Sequence, residues 1–144
     1  MNEIRHEGGC LCGALRYRTS GDPVFVNVCH CTFCQRRTGS AFGISVIFNE
    51  ANVETSGKRS TFEHRSDESG RWLRMEFCPT CGTTVGWTAE MRPGMHVIAG
   101  GTFDDQKWFK INRFIWTRSA HSWIELPPGV ETFEQAAPPP RSAG

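Results

Sequence analysis

Short runs in which apolar and polar residues alternate dominate the chain. A period of two is typical of β-strands that bury one face. The runs are rich in Val, Ile and aromatic residues, which favour strands. They lie at residues 14–19, 24–28, 42–48, 61–65, 72–77, 83–88, 96–99 and 113–117. Turn-forming Gly, Pro, Asp and Ser separate them. The pattern predicts an antiparallel β sandwich or an open, curled sheet.

Segments with helical character are scarce. Residues 32–38 favour one or two helical turns, and Gly39 is a plausible C-terminal stop. Residues 129–135 favour a second short turn. Residues 136–144 include three consecutive prolines and little that can be buried, so we expect a disordered tail there. The predicted organisation is a single mainly β domain over residues 1–135, followed by the tail.

Composition narrows the class of protein and its partners. The chain has 144 residues, 38% of them hydrophobic, and a formal net charge of +1. A near-neutral charge gives no electrostatic reason to expect nucleic acid as a partner. No apolar run approaches the length of a membrane span, and the first residues lack the apolar stretch of a secretory signal. We expect a soluble, cytoplasmic protein without a membrane or nucleic-acid partner.

The seven cysteines form three closely spaced groups. A cytoplasmic compartment keeps thiols reduced, so close spacing favours metal ligation over disulfides. An odd count also fits a complete disulfide set poorly. The groups are Cys10 and Cys12; Cys29, Cys31 and Cys34; and Cys78 and Cys81.

Two of the groups are pairs, and together they supply four thiolates, enough for a closed tetrahedral zinc site. Cys78 and Cys81 resemble a zinc knuckle, with two residues between the sulfurs and a strand predicted on either side. Cys10 and Cys12 have glycines on both sides, which suggests a tight backbone around a metal. The alternative is a redox dithiol at Cys78 and Cys81, but that motif normally joins a strand to a helix.

The third group, Cys29, Cys31 and Cys34, supplies three thiolates and leaves one coordination position to fill. His30, water or a substrate atom is a candidate for it. Another possibility is that a side chain from elsewhere closes the site, in which case it is only structural. A third is that two metals share bridging sulfurs. The candidates from elsewhere are an Asp or Glu and four histidines, His6, His64, His96 and His121.

The charge of an open site indicates its chemistry. Three thiolates on Zn²⁺ leave a net charge of −1, which makes the ion a weak Lewis acid but a good acceptor of a further soft thiolate. Arg36 and Arg37 follow the group directly and could offset this charge or grip a substrate carboxylate. The alternative is that both arginines are solvated surface residues. We select Arg36 as a catalytic candidate beside the three cysteines.

These motifs together resemble the glutathione-dependent formaldehyde-activating enzymes, the Gfa-like family, which includes the centromere protein V group. The family pattern has three cysteine motifs, and the matching segments cover most of the chain, from about residue 8 to residue 123. The cysteine segments are Gly9-Cys10-Leu11-Cys12-Gly13, Cys29-His30-Cys31-Thr32-Phe33-Cys34-Gln35-Arg36 and Phe77-Cys78-Pro79-Thr80-Cys81-Gly82. Gly101-Thr102-Phe103-Asp104 and the segment from Phe114-Ile115-Trp116 to Trp123 also match family features.

The resemblance implies a β-tent fold of antiparallel sheets with two zinc ions per chain. It assigns the structural zinc to Cys10, Cys12, Cys78 and Cys81, and the catalytic zinc, whose occupancy the sequence leaves open, to Cys29, Cys31 and Cys34. It also implies a carbon–sulfur lyase that reversibly joins a small thiol such as glutathione to a small aldehyde such as formaldehyde.

Two other classes of protein compete with this interpretation. A non-catalytic zinc-binding module for protein or nucleic acid would use tryptophans as stacking surfaces, but in a β fold these residues more often fill the core. A redox reductase would need a free nucleophilic cysteine, and all seven are already assigned.

Overall fold

The computed structural model of the protein describes residues 4–138. The α-helix of this part of the chain, α1, spans Thr32–Thr38. Eleven strands accompany it: β1 Arg5–Gly9, β2 Arg16–Ser20, β3 Phe25–Cys29, β4 Gly43–Asn49, β5 Val53–Ser56, β6 Ser60–Arg65, β7 Trp72–Phe77, β8 Thr84–Ala89, β9 Met95–Ala99, β10 Arg113–Ile115 and β11 Glu131–Thr132. Within the described range, no helix combines the length and apolar character that crossing a bilayer requires. The predicted mainly β class with little helix is confirmed.

The strands form two sheets. The small sheet has the order β1-β2-β5 and is antiparallel throughout. The large sheet has the order β11-β10-β3-β4-β9-β8-β7-β6. Its pairs are antiparallel except that β10 runs parallel to both β3 and β11. A parallel pair needs a long connection: residues 30–112 connect β3 to β10, and residues 116–130 connect β10 to β11. The sheets are therefore mixed where the sequence predicted antiparallel pairing.

The main core lies between the two sheets, and we call the side of the large sheet that faces it the core face. Leu15 and Tyr17 come from the small sheet or its edge, and Val46, Phe48 and Ile98 from the large one; all five are at most 3% exposed. Phe48 and Leu15 are fully buried members of this one cluster, which fixes the two sheets against each other. The segment between β9 and β10 closes the core with three aromatic residues: Phe103, Trp108 and Phe109.

The opposite side of the large sheet, which we call the helix face, carries a second apolar row. Phe25, Ile47, Val97, Trp87 and Met75 are paired in register from β3 to β7. Ile47, Val97 and Trp87 are buried there. Because residues on both faces of β4 are buried, its sequence reads as a nearly continuous apolar run.

The large sheet curls around α1. Phe33 of α1 stacks on His64 of β6, with ring centroids 4.5 Å apart. The next residue, Cys34, lies against Gly43 of β4. In a flat sheet β4 and β6, four strands apart, would be separated by about 19 Å. Two adjacent residues of a short helix can touch both only if the sheet bends towards the helix, as the predicted curled sheet does.

Two expectations fall near the C-terminal end. Residues 129–135 do not form the predicted helical turn, because Glu131 and Thr132 pair with β10 as β11. Most of the predicted tail, residues 139–144, lies outside the described residues. Its first part is irregular, and the Pro138 carbonyl accepts a hydrogen bond from Arg113 Nη1 at 3.1 Å.

Candidate metal centres and the cavity between them

The junction between β3 and α1 brings three cysteines together. Cys29 ends β3, Cys31 is the N-cap of α1, and Cys34 lies in its first turn. The Cys31 sulfur accepts a hydrogen bond from the Cys34 N–H at 3.2 Å, so the sulfur replaces the usual hydroxyl or carboxylate cap. The three sulfurs lie within 4.8 Å of one another. Gly39 ends the helix in the left-handed conformation, as predicted.

The four-cysteine group forms where the β7–β8 turn meets the loop between β1 and β2. The turn contains Cys78 and Cys81, and Gly82 follows with φ of +79°, a conformation that favours glycine. Cys10 and Cys12 approach from the small sheet. All four sulfurs lie within 4.8 Å of one another. The two pairs predicted to share a metal are therefore adjacent in space.

The sulfur distances of this group fit a tetrahedral metal site. Cys10 Sγ and Cys12 Sγ are 3.7 Å apart, and Cys12 Sγ and Cys78 Sγ are 3.8 Å apart. Four sulfurs placed about 2.3 Å from one zinc would be separated by about 3.8 Å. A disulfide would need about 2.05 Å, and all seven cysteines are free. The donor set therefore fits a metal ion such as zinc.

Backbone N–H groups point at several of these sulfurs. Leu15 N–H donates to Cys10 Sγ at 3.2 Å, and Thr80 N–H donates to Cys78 Sγ at 3.4 Å. A hydrogen bond with the Thr83 hydroxyl, assisted by backbone donors, lowers the pKa of Cys81 to about 5. Such donors stabilise the thiolate form, which is the form that binds metal.

The three cysteines of the other group differ in the pKa of their thiols. Hydrogen bonds with Cys29 and Cys34 lower the pKa of Cys31 to about 3. The hydrogen bond with Cys31 raises the pKa of Cys29. At Cys34, the hydrogen bond with Cys29 lowers the pKa, but the one with Cys31 and burial outweigh it and raise the pKa to about 11. Without a cation, these contacts favour ionisation of Cys31 over that of Cys29 and Cys34. A bound metal is what would keep all three ionised.

No fourth protein ligand accompanies the three sulfurs in the part of the chain that the structure describes. The candidate histidines make other contacts: His6 stacks on Trp108, His64 on Phe33, His96 contacts Glu76, and His121 contacts Gln35. The geometry leaves one coordination position of this group to water or substrate.

His30 lies between two of the cysteines in sequence, but its side chain packs among aromatic residues and not beside the sulfurs. Its side chain is fully buried, and neither ring nitrogen has a hydrogen-bond partner among residues 4–138. Its ring neighbours are Phe42 and Phe114. Burial lowers the pKa of His30. His30 therefore packs as a neutral aromatic ring, and it does not join the three sulfurs as a ligand atom.

A cavity of about 410 Å³ lies between the two cysteine groups. The C-terminal end of α1 and the near ends of β4, β8 and β9 surround it. Gly82, next to Cys81, lies on one side, and Gly43, next to Cys34, lies on the other. The polar side chains of its lining belong to Arg37, Thr38, Ser40, Thr84 and Thr102.

Another depression, of about 520 Å³, lies on the small sheet and its neighbouring loop. Cysteines line neither depression, but the 410 Å³ cavity has lining residues next to both cysteine groups, Gly82 beside Cys81 and Gly43 beside Cys34. Three charged residues of the larger depression are already paired: Arg18 contacts Glu7, and Asp104 contacts Arg16. We therefore assign the candidate site to the cavity between the cysteine groups.

The two arginines after the three-cysteine group differ in position. Arg36, the predicted catalytic candidate, is exposed on α1. Arg37 lines the cavity, and its guanidinium carbon lies 4.1 Å above the ring centre of Trp87. Sequence reasoning did not identify Trp87 or Gly43 as parts of the site. The register of β4, β9 and β8 places them there, and no local motif marks either residue.

Comparison with known proteins agrees with this geometry. The family described as glutathione-dependent formaldehyde-activating enzyme matches residues 5–119. The chain belongs to this family, and its membership supports a glutathione-dependent, aldehyde-activating function in general terms. A search of the curated proteins finds no match.

A solved structure shares the fold. The crystal structure of a Rhodobacter sphaeroides protein, a Northeast Structural Genomics target, aligns with a TM-score of 0.53 at 14% sequence identity. The alignment covers 88% of this chain and 98% of that one. At this identity the likeness concerns the fold alone.

Proposed function

We propose that the protein is a zinc-dependent carbon–sulfur lyase that reversibly joins a thiol, such as glutathione, to a small aldehyde, such as formaldehyde. Family membership supports the reaction class. The observation that carries the proposal is that three sulfurs, with no fourth protein ligand in the described chain, lie beside a cavity. A four-sulfur group would serve structure only, whereas an open one can bind a substrate atom.

The two cysteine groups take different roles in this proposal. Cys10, Cys12, Cys78 and Cys81 hold the structural zinc. Cys29, Cys31 and Cys34 hold the catalytic zinc, which, when bound, supplies a soft position that favours a thiol in its thiolate form. Of these three residues, Cys29 and Cys34 are buried and Cys31 is partly exposed. Cys34 adjoins the cavity through Gly43.

The reaction joins sulfur to a carbonyl carbon. The thiolate sulfur attacks the carbon, the π electrons of the C=O bond move to oxygen, and the alkoxide takes up a proton that balances the one lost by the thiol. The product is a hemithioacetal, and the reverse sequence is the lyase direction. Holding both substrates in one cavity removes much of the entropic barrier.

The cavity walls provide space and donors for these steps. Gly43, Gly100 and Gly101 carry no side chains, which leaves room for an aldehyde near the sulfurs. The hydroxyl groups of Ser40 and Thr84 line the same cavity and would donate hydrogen bonds to the forming alkoxide. Arg36 remains a candidate, on sequence grounds, for stabilising the alkoxide, although it does not line the cavity.

Metal analysis combined with a thiol-by-aldehyde screen tests the proposal. Wild-type protein should contain two zinc ions per chain and accelerate exchange between free thiol and its hydroxymethyl adduct, as measured by NMR. Cys31→Ser should lose one zinc and that acceleration, whereas Thr32→Ser, a neighbouring exposed control, should keep both. A Cys31→Ser protein that lacks one zinc but retains full activity would show the proposal to be wrong.

A further inference from the structure

We propose that Arg37 binds a carboxylate of the thiol substrate, so that the site selects acid-bearing thiols over neutral ones. This inference rests on the proposed function, because it assigns the recognition of substrate at the same cavity. Arg36 and Arg37 both follow the cysteine motif, and of the two it is Arg37 that lines this cavity.

The Arg37 guanidinium lacks an anionic partner. Its Nε and Nη2 atoms are buried and have no hydrogen-bond partner within residues 4–138, and none of the ion pairs found in that range includes Arg37. Most other arginines near the sheets do have carboxylate partners: Arg16, Arg18, Arg59, Arg65, Arg74 and Arg118. Burying charged N–H groups without a partner is costly, so an anion that reached these atoms from the cavity would remove a penalty already present in the fold.

Two neighbours hold the guanidinium in this place. The indole of Trp87 lies below it at 4.1 Å, close enough for a cation–π contact. Gly43 lies beside it, where an added Cβ would be 2.5 Å from Arg37 Nη2 and 3.6 Å from Cys34 Sγ. The Arg37 guanidinium and the Cys34 sulfur therefore lie next to each other, on the side of Gly43 where any other residue would carry its Cβ. An anion at Arg37 would therefore be next to the three-cysteine group.

The chemistry of the guanidinium indicates the kind of ligand. Arginine presents a planar fork of donors that matches a carboxylate, with two parallel hydrogen bonds. Formaldehyde has no charge for Arg37 to bind. Glutathione, which the family description names, has two carboxylates and one thiol. A carboxylate at Arg37 would orient the thiol towards the open position of the three-cysteine group.

An inert analogue separates this inference from catalysis. We would measure the affinities of S-methylglutathione and its dimethyl ester by isothermal titration calorimetry, using zinc-loaded protein. The thioether cannot add to an aldehyde, so the result does not depend on turnover. Wild type should bind the acid about tenfold or more tightly than the ester, as expected for charge-assisted hydrogen bonds. Failure of the proposed function would appear separately, in the thiol-by-aldehyde screen.

The variants identify the residue responsible. Arg37→Gln should reduce the ratio of the two affinities, acid over ester, to about one. Arg37→Lys should keep part of the wild-type ratio, because an ammonium group keeps the charge but not the two parallel donors of a guanidinium. Arg74→Gln is the matched control. Arg74 also lies over an indole, that of Trp72 at 4.7 Å, but it pairs with Glu63 outside the cavity. This control should keep the full preference. Zinc content and thermal unfolding show that each variant is folded.

Two results would overturn the inference. One is an Arg37→Gln protein that binds the acid and the ester in the wild-type ratio. The other comes from the aldehyde side: a wild-type preference for glyoxylate over formaldehyde that Arg37→Gln removes while it leaves the thiol preference intact. In that case Arg37 would recognise the carboxylate of the aldehyde instead.

Discussion

The sulfur atoms of Cys12 and Cys78 lie 3.8 Å apart although 66 residues separate them in the chain. Cys12 belongs to the loop between two strands of the small sheet, and Cys78 to the turn between β7 and β8 of the large sheet. Their approach attaches one sheet to the other at the edge of the core, close to fully buried Leu15. The four-cysteine group therefore brings the two sheets together, and a bound metal would cross-link them.

Replacing Cys78 by serine should therefore affect the whole fold. Cys78 is fully buried, and a structural zinc contributes on the order of 10 kcal/mol to the folding of zinc peptides. A small domain has a total stability of about 5–15 kcal/mol. We expect Cys78→Ser to lose one zinc per chain and to be largely unfolded at 25 °C, as measured by circular dichroism and metal analysis.

The control for this prediction is Cys31→Ser, which affects the other cysteine group. It should also lose one zinc, but its strands should remain and its unfolding should stay cooperative. If both variants lost the same amount of stability, the division into a structural and a catalytic group would be contradicted.

The sequence predicted the parts of the fold whose signals are local. The cysteine spacing identified both sulfur groups, and residues 32–38 were recognised as α1 with Gly39 as its stop. Eight of the strands show an alternating or β-branched pattern in the sequence. The strands that were missed are β1, β5 and β11, which lie in the small sheet or at an edge and bury few residues. β1 ends in two glycines, and β5 is mostly exposed, so neither shows the alternation of a half-buried strand.

The cavity could not be predicted in the same way. Arg37, Gly43 and Trp87 come together because β4, β9 and β8 are neighbours in the large sheet, an order that differs from the order in sequence. No spacing rule connects a helix residue to a tryptophan 50 positions away. The selection of Arg36 shows the limit of a motif: it identified the arginine pair, but the direction of each side chain depends on the packing of α1.

Gly43→Ala should disturb Arg37 without disturbing the fold. The new Cβ would lie 2.5 Å from Arg37 Nη2, the mobile end of a long side chain, and 3.4 Å from Cys34 Cβ, an ordinary contact. We expect the preference for S-methylglutathione over its ester to fall several-fold, while zinc content stays at the wild-type value. Thermal unfolding should shift by less than about 4 °C, roughly the change that 1 kcal/mol produces in a domain of this size.

The double variant makes this prediction specific. In an Arg37→Gln background, Gly43→Ala should have no additional effect on the preference, because the two changes act through the same contact. Additive losses would mean that the methyl group blocks the cavity itself and that the contact with Arg37 is incidental.

Glu76 provides a prediction about pH. Its carboxylate is buried, contacts His96 Nε2 at 2.6 Å and pairs with Arg59. Burial opposes ionisation, but the hydrogen bond and charge of His96, followed by the charge of Arg59, outweigh it, and the pKa of Glu76 lies below its ordinary value of 4.5. A carboxyl group whose pKa is lower in the folded state stabilises the fold above the unfolded pKa. That contribution is lost as pH falls through the folded pKa.

Glu76→Gln should consequently reduce the free energy of unfolding by about 1–3 kcal/mol at pH 7. The half-exposed Arg59 contributes little of this. The difference between variant and wild type should shrink below pH 4.5. Urea unfolding at pH 7, 5 and 3.5 measures it, with Glu63→Gln, an exposed neighbour on β6, as the control. A difference that does not change with pH would contradict the role of the ionised carboxylate.

Asn112 joins the segment before β10 to the middle of the large sheet. Its side-chain oxygen accepts a hydrogen bond from Val26 N–H at 2.7 Å, and its own N–H donates to the Val26 carbonyl at 2.8 Å. Val26 is 1% exposed, so removing the acceptor leaves a buried N–H without a partner. We expect Asn112→Ala to lose about 1–3 kcal/mol of stability in urea unfolding. Asn49→Ala, at the exposed end of β4, should lose less than about 0.5 kcal/mol. Equal losses in the two variants would mean that the contact with Val26 does not hold β10 in its parallel position beside β3.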